Sequence, residues 1–122
     1  MADAELKKAF TELKTKSVET SARIKAVDGQ IDQCRKRGKH AELTYMEVKQ
    51  SGGDTNYYES VGRVFVLEPQ ETILEQLQDR AMNNRESIQK LENQKEYLNK
   101  NLKESENALR ELVESKKTTL VK

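Results

Sequence analysis

Apolar residues recur in alternating steps of four and three along the first third of the chain. Leu6, Phe10, Leu13, Ser17, Thr20, Ile24, Val27, Ile31, Cys34, Gly38 and Ala41 form one such series. Steps of four and three hold a stripe on one side of a helix, which is the pattern of a supercoiled seam. The spacing predicts a helix over residues 3–43, with Asp3 as its N-cap because a carboxylate there accepts orphan amide protons of the first turn. Glu12–Lys16 and Asp32–Lys36 add i,i+4 pairs in the favourable order. Ser17 and Thr20 are weak seam members, so packing is expected to loosen at their level.

A second series begins at Pro69, a residue that loses no hydrogen bond at the first helical position and has its φ preset. It reads Leu77, Ala81, Asn84, Ile88, Leu91, Lys95, Leu98, Leu102, Ser105, Leu109 and Leu112, with Ile73 four residues ahead, and predicts a helix over 69–117. Glu86–Lys90 and Glu96–Lys100 support its outer face. A helix of that length spans on the order of 60–70 Å and cannot hide its stripe alone. Two such helices can, as an antiparallel hairpin; a long parallel homodimer is the competing arrangement, but it leaves the middle of the chain without a purpose.

The middle, residues 44–68, changes character. Thr44-Tyr-Met-Glu47 matches a capping box and predicts a short helical turn, which Ser51-Gly-Gly-Asp54 breaks. Asn56 to Leu67 is rich in β-branched and aromatic residues around one glycine and reads as a β-hairpin turning near Val61-Gly62. Within it, Val64, Phe65, Val66 and Leu67 are consecutive apolar residues. In a strand they project alternately to both faces, and an unbroken apolar strand is one buried on both. An isolated two-stranded hairpin is marginal in water, and each helix spends its stripe on the other. Tyr57, Tyr58, Val61, Gly62, Val64, Phe65, Val66 and Leu67 are therefore the expected assembly site, joining strands from other chains; the alternative is that the hairpin folds down onto its own helices.

Composition narrows the function. Of 122 residues 34% are hydrophobic, 5% aromatic and 35% charged, too little apolar surface for a compact globule. One proline and a regular leucine period argue for long amphipathic helices over disorder. With 22 basic and 21 acidic residues, the chain is neither a polyanion mimic nor a basic nucleic-acid binder. A lone Cys34 forms no internal disulfide, the start of the chain lacks a secretory or mitochondrial leader pattern, and no apolar run approaches membrane-spanning length. A cytoplasmic location and no membrane partner are expected.

The hairpin residues Tyr58-Glu-Ser-Val-Gly-Arg-Val-Phe-Val-Leu67, with Glu5-Leu-Lys-Lys-Ala-Phe-Thr-Glu-Leu13 near the start and Lys95-Glu-Tyr-Leu98 in the second helix, carry a resemblance. Together with the helix–hairpin–helix plan they make the whole chain resemble prefoldin, the co-chaperone, and its eukaryotic β-type subunits in particular. The linker has room for only one hairpin, which is the β-type mark. The resemblance implies a mostly α fold, a long antiparallel two-helix coiled coil joined by a single β-hairpin that assembles with other subunits into a β-barrel body. It implies a hexamer of two α-type subunits with this chain and three further β-type subunits. It also implies clients that are unfolded polypeptides, notably actin and tubulin, handed to the cytosolic chaperonin without nucleotide.

The helix ends suit such a task. Leu6, Phe10 and Leu13 on one helix and Leu109, Leu112 and Val113 on the other, with Leu120 and Val121 beyond, would meet at the arm tip and are the candidate client-binding residues. Frayed apolar ends repack around varied segments, and several weak arms act as a multivalent grip.

The remaining features read as structural. Cys34 is a small hydrophobe on the seam, and His40 has no ligand cluster around it, so no metal is expected. Asn84 is of the kind that fixes register and Lys95 and Lys116 reach out on their stems. The run Arg35-Lys-Arg-Gly-Lys39 reads as a solvated helix end whose cations suit the dipole, against the alternative of a nucleic-acid patch. No nucleophile–base pairing, phosphate loop or paired-carboxylate site is evident, so neither catalysis nor a cofactor is expected. The rival functions are a structural coiled-coil scaffold or tether in another hetero-oligomer, and a basic-helix DNA binder, which needs a denser cationic segment.

Overall fold

A computed structural model of the chain describes the backbone of residues 2–121 and the side chains of residues 4–115. The order is α1 (Ala2–Gln50), β1 (Tyr57–Val61), β2 (Val64–Glu68) and α2 (Gln70–Val121). The residues sort into two compact units, one built from the chain up to Gln30 and from Leu91 onward, the other from Ile31–Lys90.

In the first unit the two helical segments pack antiparallel. Lys95 Nζ lies 2.7 Å from Asp28 Oδ1, and Phe10 and Leu112 line one cleft. Val27 and Leu98 are its buried apolar residues, joined by Thr20 and Ser105, which are buried as well. The expected loosening at Thr20 does not occur. Its hydroxyl donates to the Lys16 carbonyl at 2.7 Å, which satisfies the buried oxygen inside its own helix and leaves the methyl for the seam. Lys95 keeps its stem on the seam and its ammonium at the edge, as snorkelling predicts.

The second unit holds Ile31, Ala41 and Leu77 as its buried apolar set and the hairpin. Here α1 does not stop at Leu43 but continues to Gln50. Thr44 is therefore no N-cap and starts no separate turn; its hydroxyl donates to the His40 carbonyl at 2.8 Å, four residues back. The reason is the seam itself: the four-three rhythm runs on from Ala41 to Tyr45 and Val48, which are half-buried, and packing outweighs the local capping signature. Gly38 lies inside the helix, where a Cβ would meet Asn84 Cβ at 3.6 Å. Asn84 spends its amide on the Arg80 carbonyl of its own helix, at 2.9 Å, so it sets no register across the helix pair by hydrogen bonding. The run Arg35–Lys39 sits mid-helix, so the helix-dipole reading of its charges falls.

Both helix starts shift slightly. α1 begins at Ala2, so Asp3 is inside it and is not its N-cap. α2 runs past Lys117 to Val121; the Ile73 amide bonds the Pro69 carbonyl at 3.2 Å, making Pro69 the cap residue and Gln70 the first helical one. Of the four anticipated i,i+4 pairs, only Asp32–Lys36 closes among the described residues, at 3.3 Å.

Candidate functional site

The strands pair antiparallel with Tyr57 opposite Glu68, Tyr58 opposite Leu67, Glu59 opposite Val66, Ser60 opposite Phe65 and Val61 opposite Val64. Gly62 and Arg63 are left as a two-residue turn. Gly62 has φ +63° and among the described residues no other has a positive φ, which is the type II′ arrangement with glycine at the first central position. The turn suits the strand twist without the Asn-Gly pair.

Residues opposite each other share a face. Tyr57, Glu59, Val61, Val64, Val66 and Glu68 form one face, and Tyr58, Ser60, Phe65 and Leu67 the other. The first face leans on the chain's own helices at its base. The Tyr57 hydroxyl donates to the Val48 carbonyl at 3.2 Å, and Gln76 Nε2 lies 3.5 Å from Glu59 Oε2. Gln70 Nε2 donates to the same Val48 carbonyl at 2.9 Å. Val48 sits in the last turn of α1, beyond the reach of the regular helical ladder; its carbonyl accepts a long bond from the Ser51 amide at 3.3 Å, and the two side chains from β1 and α2 add to it. The expectation that the helices cover neither face is corrected to that extent: Tyr57, Glu59 and Glu68 are half-buried.

The rest of the hairpin is open. Phe65 is 71% exposed, Val64 62%, Leu67 61% and Tyr58 58%. Val61 and Val66 are exposed too. Six of the large exposed apolar residues thus fall on ten strand residues, a concentration that marks an interaction surface. The sheet has two strands only, so the outer edge of each offers its backbone groups for further pairing.

The candidate client-binding residues divide. Leu6, Phe10, Leu112 and Val113 line one cleft of about 360 Å³ together with Lys7. Leu13 and Leu109 are half-buried outside its lining. The side chains of Leu120 and Val121 lie outside the described residues. Phe10 and Val113 stand at the cleft's exposed lip. Sequence reasoning missed Gln70 and the Val48 carbonyl, which seat the hairpin; a backbone acceptor leaves no mark in a sequence. Among the described residues no group of acidic, histidine or cysteine side chains could hold a metal ion, and no helix is long and apolar enough to cross a membrane.

Known proteins bear on this arrangement. The chain is 43% identical over 111 residues to prefoldin subunit 1 of Mus musculus, covering 91% of each. It is 38% identical over 115 residues to prefoldin subunit 1 of Arabidopsis thaliana, covering 93% of this chain and 89% of that one. The crystal structure of the prefoldin beta subunit from Thermococcus strain KS-1 shares the fold, with a TM-score of 0.75 at 18% identity, over 84% of this chain and 90% of that one. The family model for prefoldin subunits matches residues 5–116, and the chain belongs to that family.

Proposed function

We propose that the chain is a β-type subunit of a hetero-hexameric prefoldin, with two α-type and three further β-type partners, and that it works as a single domain. It captures unfolded polypeptides, actin and tubulin among them, and passes them to the cytosolic chaperonin in the cytoplasm, without nucleotide and without catalysis. The observation that carries this reading is the open hairpin: Tyr58, Phe65 and Leu67 stand unpartnered on one face of a sheet with two free edges. Neighbouring subunits' strands would dry that face and satisfy those edges. The cleft of Leu6, Phe10, Leu112 and Val113 in the first unit supports client capture. It is mostly apolar and only about 360 Å³, so one arm holds weakly and several arms hold by avidity.

Reconstitution with partner subunits tests both halves. Removing residues 1–13 and 109–122 should leave the hexamer intact, by sedimentation, and abolish suppression of aggregation of a denatured client. A truncated complex that still protects fully refutes the tip assignment. A full-length complex that assembles but never delays aggregation makes the chain a scaffold instead.

A further inference from the structure

We propose that a cationic groove between α1 and α2 in the second unit binds an acidic polypeptide segment, at a site separate from both the hairpin and the tip cleft. The groove, about 590 Å³, is lined by Lys36, Arg37, His40 and Arg80 along its walls, with the amides of Asn83 and Asn84 beside them and Ala41 and Leu77 at its floor. No lining residue is acidic. Lys36 is shared with Asp32, but among the described residues no carboxylate lies within ion-pair distance of Arg37 or Arg80. Two acidic residues adjoin the lining in sequence, Glu42 after Ala41 and Asp79 before Arg80; both line the neighbouring groove and not this one, and Glu42 is engaged there at 2.8 Å by Arg85.

Two local explanations for these charges fail. The run Arg35–Lys39 is mid-helix, because α1 continues to Gln50, so the helix dipole gives it no support. Arg80 arrives from a different helix, at a position that no i,i+4 pairing with the run explains. Like charges gathered from two helices repel each other and persist at a cost unless an anion offsets it. Arginine forks suit carboxylates bidentately, and Asn83 adds a neutral donor.

A polypeptide is favoured over nucleic acid by size and by field. The groove presents four cationic or imidazole side chains in a cleft between two packed helices, too few for the phosphate contacts that sustain nucleic-acid affinity at physiological salt. The net charge of the whole chain is +1, so no wider positive field extends the footprint along a duplex. An extended segment with glutamates or aspartates on alternate residues reaches both walls and lays small side chains on Ala41 and Leu77.

The test uses the full chain assembled with its partner subunits and a fluorescein-labelled peptide of alternating glutamate and alanine, read by fluorescence anisotropy. Two charge-reversal variants are compared, Arg37→Glu with Arg80→Glu in the groove and Lys25→Glu with Lys103→Glu outside it, equal in net charge. The groove variant should bind about tenfold more weakly or worse, while the outside variant matches the parent. Arg80→Gln, a milder change, should weaken binding with an unaltered helical circular dichroism spectrum. Equal loss in both reversal variants, or no loss in either, overturns the site. A single-stranded oligonucleotide of equal charge that binds more tightly, with the same dependence on Arg37 and Arg80, overturns the assignment to a polypeptide.

Discussion

Replacing Phe65 by alanine separates the two loads its ring could carry, the fold of this chain and the grip of its neighbours. The ring is 71% exposed, and its partner across the ladder is Ser60, not another large apolar residue. Its work inside the hairpin is therefore limited to same-face contacts with Leu67 and Tyr58, worth under about 1 kcal/mol. Full burial of a phenylalanine side chain contributes about 1.5–3 kcal/mol, and with most of the ring still wet, about 1–2 kcal/mol of that remains to be gained on assembly. Phe65→Ala should then weaken incorporation into the complex by roughly 5- to 30-fold and leave the thermal midpoint of the lone chain nearly unchanged. Mass photometry over a dilution series with partner subunits gives the first quantity, and circular dichroism melting the second. A lone variant chain that melts many degrees lower, joined to unchanged assembly, would show that the hairpin face serves its own chain and refute the reasoning.

Two smaller perturbations follow from the backbone. Gly29 and Gly38 sit inside α1, and a Cβ at Gly29 meets open space while one at Gly38 meets Asn84 Cβ in ordinary contact; alanine at either should raise helix stability by about 0.5–1 kcal/mol, visible as a higher melting midpoint, and a lower midpoint for Gly29→Ala would contradict the helix there. Gly62→Ala places a side chain at φ +63° with room around it, so its cost is backbone strain alone, about 1–2 kcal/mol. Faster hydrogen exchange at the Val61 and Val64 amides, which pair across the turn, with helical ones unchanged, is the expected outcome, and unchanged exchange at both counts against the type II′ turn.

Much of this fold is written in the spacing of its apolar residues. Among the described residues Val27, Ile31 and Ala41 on α1 and Leu77 and Leu98 on α2 are the buried apolar set, and all five fall on the four-three series. The end of α1 was harder to read, because Gly38 and the Thr44–Glu47 capping signature both suggest termination. Each is a local preference of about 1 kcal/mol, outweighed where Tyr45 and Val48 keep the stripe against α2. The hairpin announced itself through four consecutive apolar residues, yet its partial seat on the helix ends did not, since that seat is made by a main-chain oxygen. The cationic groove was legible only as half of itself: Arg80 joins Lys36, Arg37 and His40 across two helices, a neighbourhood that linear order conceals.

The shared Val48 carbonyl has one more consequence, for what evolution can edit in this chain. Tyr57 and Gln70 both find their acceptor where α1 ends, so the aim of the strands depends on which way that oxygen points. Each residue added to or removed from the final turns of α1 rotates it by about 100°, far more than a hydrogen bond tolerates. Residue identities between Ala41 and Val48 are therefore freer to drift than their number is, and relatives that keep this seat should align across the stretch without a gap.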